Sequence, residues 1–340
     1  MRFRLAFILV AASATLATTA SAWAYPWPIK PFDRQHPIRA YFGDPRTRFW
    51  NTMLTDGLRG PGIFQFHNGI DIAAPGDTAV YPVVSGTATV ISGDAVAVRT
   101  GDDRTFQYFH IVPIVVNGQH VVAQRTLMGY ILPAYGHVHL TEIRGTKVWN
   151  PLARGGIAPY EDRTVPEVDA ISMRPARSLV AFDPGKVCGK VSLVAVAHDI
   201  TPLAVVGLFA GFPVSPARVT WSFAKLGARP LVRNAVVADF RSTLPSRRRF
   251  WHIYARGSFQ NAPRFSNRQF FMPGSFVYNL APDLDTRRYG NGVYTVTVTV
   301  SDELGNSSDA WQRFTFDNRP GTPTGCPAAP PVDQLPNSAP

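Results

Sequence analysis

Cysteine is scarce in this chain: 340 residues carry two, Cys188 and Cys326. One bridge is therefore the most a single chain can form, and a multi-bridge scaffold is excluded. Charge is thin as well, at 17% of residues, and acids are the rarer sign: 23 Asp and Glu against 34 Lys and Arg. With 45% hydrophobic residues, so little charge excludes global disorder, because a core is readily supplied. Long apolar runs are missing beyond the N-terminus. The best candidate, PLAVVGLFAGFPV at 202–214, falls short of the roughly 20 residues a span needs, and Asp199 lies just before it. Tandem repeats are absent. So is any H-E-x-x-H, which excludes a zinc peptidase using the glutamate of that motif as base.

What the chain has in quantity is turn formers, 30 prolines and 27 glycines, which favour short strands over long helices. The N-terminus reads as an export signal over residues 1–24. Arg2 and Arg4 precede the apolar run LAFILVAASATLA, and small residues end in Ala22-Trp23-Ala24. This predicts a secreted or periplasmic protein with no transmembrane span once the signal is cleaved. Export argues against nucleic acid as partner. The formal net charge of +11 then favours anionic envelope polymers.

The pattern predicts an all-β protein. Residues 25–62 hold several prolines and a turn-prone GDPR and read as an irregular segment. Residues 63–152 alternate apolar and polar positions in short runs (TAVYPVV, GTATVIS, AVAVRT, TFQYFHI) separated by glycines, the mark of an antiparallel sheet. Residues 153–186 read as a linker. A second all-β pattern spans 187–318, with KVSLVAVA, ARVTWSF and GVYTVTVTV, and suggests an Ig-like β-sandwich. Trp221 and Trp251 are expected in its core. The Pro-rich tail, 319–340, is expected to be disordered. Cys188 and Cys326 flank the second unit, and an oxidising compartment predicts a bridge between them.

Of eight histidines, four fall in three segments, FHNGIDI, YFHI and GHVHL. His137 and His139 are two apart, so on a strand both point to one face, about 6.8 Å apart. His67 and Asp71 are four apart. A straight strand would separate them by about 13 Å, too far to share an ion with bonds of roughly 2.0–2.2 Å. Asn68-Gly69 is a poor helix interior but well suited to a bend. With that bend, His67, Asp71 and His139 supply two nitrogens and one oxygen. Three ligands with a position left for water describe a catalytic zinc site, not a closed structural one. His120 is expected to be an exposed strand residue, and His198 and His252 structural.

HNGIDIAAPGDTAVYPVVSGTATVI, TFQYFHI and GHVHLTEIRGTKVWNP together resemble the lysostaphin/LytM family of zinc endopeptidases, metallopeptidase family twenty-three. Its H-x-x-x-D, Tyr-x-His and H-x-H parts stand in order over about a quarter of the chain. The resemblance implies Zn2+ held by His67, Asp71 and His139, with His110 and His137 as catalytic non-ligands. It also implies hydrolysis of short peptides in bacterial peptidoglycan. Two departures stand out. The loop before H-x-H is the apolar LMGYILPAYG, and Thr141 occupies the place where the family often has a glutamate, with Glu142 turned to the other face. Such a carboxylate would orient a ligand, so weaker support of His139 is expected. Two other readings remain: a catalytically silent member that binds and activates other wall hydrolases, and an adhesin-like binding protein whose Ig-like unit does the work and whose zinc is structural. Retention of all three ligand positions favours the enzyme.

Overall fold

The structure, a computed structural model, describes residues 24–49, 62–175, 180–260 and 273–318. The export segment and the Pro-rich tail lie almost wholly outside these residues. Cys188 is disulfide-bonded; its expected partner, Cys326, also lies outside. The chain is all-β, as its turn-punctuated alternation predicts. Among the described residues, no helix is long and apolar enough to cross a membrane.

The first lobe holds β1 (Ile38–Ala40), β2 (Pro45–Phe49), β3 (Gly62–Phe66), β4 (Ile70–Ala73), β5 (Ala79–Val80), β6 (Gly86–Ser92) and β7 (Ala95–Arg99). It continues with β8 (Arg104–Phe109), β9 (Ile111–Pro113), β10 (His120–Val121), β11 (Gly129–Ile131), β12 (His137–Arg144) and β13 (Lys147–Trp149). One antiparallel sheet runs β1-β4-β12-β8-β7-β6-β10, with β13 also on β12. A small sheet, β5-β11-β9, and the β2–β3 ribbon complete the lobe. Ile70, Ile72, Val96, Val98, Phe106, Tyr108, Val138 and Leu140 are fully buried and form the lobe's core.

The second lobe holds β14 (Glu167–Pro175), β15 (Lys190–His198), β16 (Arg218–Lys225), β17 (Pro230–Asp239), β18 (Val277–Asp285), β19 (Gly292–Ser301) and β20 (Ser307–Phe316), with the short helix α1 (Phe250–Ile253). They form a three-stranded sheet, β14-β15-β18, and a four-stranded one, β17-β16-β19-β20. Alternate positions of β19 (Tyr294, Val296, Val298, Val300) are buried, so period-two burial makes a two-sheet core.

Three local expectations change. The stretch 25–62 is not irregular throughout: it supplies β1 and β2, and Tyr25, Trp27 and Ile29 pack into the first core. Their prolines break the period that would have marked them. The stretch 153–186 contains β14, which pairs along its length with β15; as an edge strand it is only partly buried and alternates weakly. Trp221 is in the core as expected, whereas Trp251 is 42% exposed on α1.

The two lobes share apolar packing. Phe42 and Phe66 of the first belong to the second lobe's core, and Val214 of the second belongs to the first lobe's. At Gly43 the contact is tight: the backbone is left-handed (φ 95°), and a Cβ would lie 2.5 Å from the Phe240 ring. Only glycine satisfies both demands.

Candidate metal centre

The centre lies where β3 turns into β4 and β12 begins. His67 sits just beyond β3, Asp71 is the second residue of β4, and Asp71 faces His139 across the β4–β12 ladder. The expected bend forms at Asn68-Gly69, and it has a second cause. A Cβ on Gly69 would stand 2.2 Å from the Leu140 carbonyl oxygen and 2.9 Å from His139 Nε2. The glycine lets β4 enter close against β12.

Asp71 Oδ1 lies 3.1 Å from His67 Nε2 and 2.9 Å from His139 Nδ1, and those two nitrogens are 2.8 Å apart. His67 Nδ1 donates to the Tyr41 carbonyl at 2.8 Å. A carbonyl only accepts, so that tautomer leaves Nε2 as a lone pair aimed at the cluster. A lone pair and a carboxylate oxygen then face each other, with at most one proton, on His139, to share. This acceptor-rich set suits a cation. A tetrahedral ion with bonds near 2.1 Å holds ligands about 3.4 Å apart, so the three atoms would open by about 0.3–0.6 Å. His67, Asp71 and His139 are respectively 3%, 1% and 7% exposed.

Electrostatics agree. Burial favours a carboxyl's neutral form, yet Arg46 and the neighbouring histidines hold Asp71 well below the usual range. Burial pushes His67 down to about 3, helped by the Arg46 charge. His67 is therefore neutral near pH 7, the state a metal ligand requires.

Thr141 resolves the departure noted in the sequence. Its Oγ1 lies 2.8 Å from His139 Nε2, so a hydroxyl orients this imidazole where the family often has a carboxylate. Glu142 faces away, as its position predicts, and is taken by Tyr25 Oη at 2.9 Å and Arg144 Nε at 2.6 Å.

His137 shares His139's face of β12. Its Nδ1 donates to the Tyr135 carbonyl at 2.8 Å, and its Nε2 lies 3.5 Å from Asp71 Oδ1. His110 comes from a different position than expected. It is not on the strand with Tyr108 but just beyond it, with φ 66°, and this kink turns its ring toward the centre. The ring stacks on Tyr135 at 4.0 Å and lies 4.7 Å from the His137 ring. Its buried Nδ1 has no hydrogen-bond partner. Burial lowers His110 to about 4 and His137 to about 3, so both are neutral near pH 7. Tyr108, two residues before His110, is fully buried, with its hydroxyl accepting from Val83 N.

Sequence reasoning missed Arg39, Arg46 and Tyr135. Arg46 Nη2 donates to Asp71 Oδ2 at 2.7 Å, and Arg39 Nη2 lies 3.5 Å from the same oxygen. Both arginines come from the segment read as irregular, and no spacing links them to the motif. A second grouping, Glu167, Asp169 and His198, also brings ligand atoms together, but each residue is at least partly open to solvent. His120 is exposed on β10, as expected.

No protein-family model matches the chain, and no curated protein matches it. Solved structures do. The SpoIIQ–SpoIIIAH pore forming complex aligns at 19% identity over 39% of this chain and 90% of that one, with a TM-score of 0.31. A zinc containing peptidase from Vibrio cholerae aligns at 20% identity over 37% of this chain and 39% of that one, at 0.29. Pseudoalterin, a deep-sea metalloprotease of family twenty-three, aligns at 16% identity over 51% of this chain and 91% of that one, at 0.26. At scores this low the likeness establishes neither activity nor site.

Proposed function

We propose that this chain is a zinc-dependent endopeptidase that hydrolyses peptides of bacterial peptidoglycan outside the cytoplasm. The observation that carries the reading is the convergence of His67 Nε2, Asp71 Oδ1 and His139 Nδ1 within 3.1 Å of one another. Two further imidazoles flank these three. Bound zinc supplies Lewis acidity, polarising a carbonyl and acidifying water. His67, Asp71 and His139 would hold it. His110, neutral and with its buried Nδ1 unpartnered, stands ready to take a proton from water. His137, whose Nε2 accepts from Arg39 Nη2 at 3.4 Å, would join it once that contact opens and help to hold the negative charge on a tetrahedral intermediate. Tyr135 keeps both in place, through its carbonyl to His137 and its ring on His110.

The peptidoglycan substrate rests on the motif resemblance and the export signal, and the net positive charge suits an anionic envelope. A second reading is a silent wall-binding activator, favoured by Arg39 Nη2 lying 3.4 Å from His137 Nε2, where it occupies the nitrogen that would take a proton. A digest of purified peptidoglycan, read by mass spectrometry with and without a chelator, separates the two. New peptide termini that vanish with chelator and return with zinc support the enzyme. An unchanged wall with zinc bound to the protein supports the silent member.

A further inference from the structure

Asp71 has two carboxylate oxygens and two sets of neighbours. Oδ1 faces His67, His139 and His137; Oδ2 faces Arg46 and Arg39. A carboxylate turns easily about its terminal torsion, so something must decide which oxygen faces the ion. Arg46 does this at 2.7 Å. Arg46 is itself held from the second lobe, where its Nη1 donates to Gln260 Oε1. Gln260 is 4% exposed. The Arg39 guanidinium is covered from the same lobe, with Phe209 4.2 Å from its Cζ.

A second route from that lobe reaches His67. The Tyr41 carbonyl that fixes the His67 tautomer belongs to a tight turn. Asp44 accepts from Tyr41 N at 2.9 Å within it, and His67 N donates to the Asp44 carbonyl at 2.8 Å. Two second-lobe groups hold this turn: Ser215 N donates to Asp44 Oδ1 at 2.8 Å, and Tyr254 Oη donates to the Gly43 carbonyl at 2.9 Å. Both predicted ligands of the 67–71 segment are thus braced by side chains or backbone of the second lobe.

We propose that the second lobe is a working part of the metal centre: Gln260 acting through Arg46, and Phe209 acting through Arg39, orient Asp71 toward the ion. Arg39 and Arg46 are then positioning residues. The inference rests on the zinc reading above and gives the second lobe a role in it. Partners behind a metal ligand typically contribute 10–100-fold in affinity.

Zinc affinity of the full-length chain, measured by competition with a chromogenic chelator, tests it without passing through catalysis. Removing an arginine would change charge and orientation together, so the informative variants are those that leave the charge unchanged. The double variant Gln260→Ala/Phe209→Ala should bind zinc about 10–100-fold more weakly, with apo-protein folding checked by circular dichroism. Arg46→Lys keeps the charge but loses the planar fork that grips Asp71 and Gln260 together, and should also weaken binding. Trp311→Ala, at a 60% exposed second-lobe site, should change nothing. If the double variant and Arg46→Lys match the wild type, or if Trp311→Ala weakens zinc equally, the inference is overturned. A wild-type chain that takes up no zinc sinks the metalloenzyme reading and this inference together; a zinc-binding wild type matched by every variant sinks only the inference.

Discussion

Asp71 stands directly opposite His139 in the β4–β12 ladder, its Oδ1 2.9 Å from the imidazole Nδ1. Directly opposed residues on neighbouring strands have Cβ atoms about 4.5–5.5 Å apart, so the pairing itself brings two ligand-type side chains together. The register of one ladder therefore decides whether the centre exists. Gly69 guards that register, because a side chain there would strike the Leu140 carbonyl oxygen. Gly69→Ala should push β4 away from β12. Overpacking of this kind costs about 1–3 kcal/mol. Zinc content and the urea midpoint should fall together, and an unchanged midpoint with full zinc would refute the close-approach account.

His139 and His110 should fail in different ways. His139→Ala removes a predicted ligand and should lose zinc and activity at once. His110→Ala should keep its zinc and slow turnover by about 10²–10⁴-fold, the usual worth of a positioned proton-transfer group. Metal analysis beside a rate assay reads both. Loss of zinc from His110→Ala would make His110 a ligand instead.

Thr141→Val keeps the shape of the side chain and deletes the hydroxyl beside His139 Nε2. Zinc affinity should drop about 10–100-fold while the fold survives. An affinity equal to wild type, in the same chelator competition, would show that Thr141 does not orient the imidazole.

A pH dependence should arise at the junction of the lobes. Asp199 Oδ2 and Glu303 Oε2 are buried without hydrogen-bond partners. Burial, then the charges of neighbouring carboxylates, raises Asp199 from 3.8 to about 8 and Glu303 from 4.5 to about 8. The folded chain thus keeps protons that the unfolded chain releases. Stability is full below the ordinary carboxylate range and declines as pH rises toward about 8, where the folded groups finally ionise. Asp199→Asn cannot ionise, so its urea midpoint relative to wild type should climb between about pH 5 and about pH 8.5. A difference that stays flat over that range would rule out a raised Asp199.

Much of this was readable in one dimension, for physical reasons that can be named. Strand alternation made the class all-β, because burial on a sheet has period two, as β19 shows with Tyr294, Val296, Val298 and Val300. His137 and His139 share a face for the same reason. Asn68-Gly69 announced a bend because few other dipeptides tolerate one. Where burial did not alternate, the pattern fell silent: β1, β2 and β14 were read as irregular segments or linker.

The amino-acid sequence by itself determined which side chains could bind a cation and which of them lay within one strand or one turn of each other. Those are local matters, governed by chain geometry over a few residues. Only the tertiary structure decided who stands behind them. Arg46 reaches Asp71 from 25 positions away and Gln260 reaches Arg46 from 214. Thr141, not a carboxylate, supports His139, and the kink at φ 66° turns His110 inward. Contacts of that kind arise when sheets and lobes pack, and packing is set by the sum of many weak, distant interactions that no local spacing records.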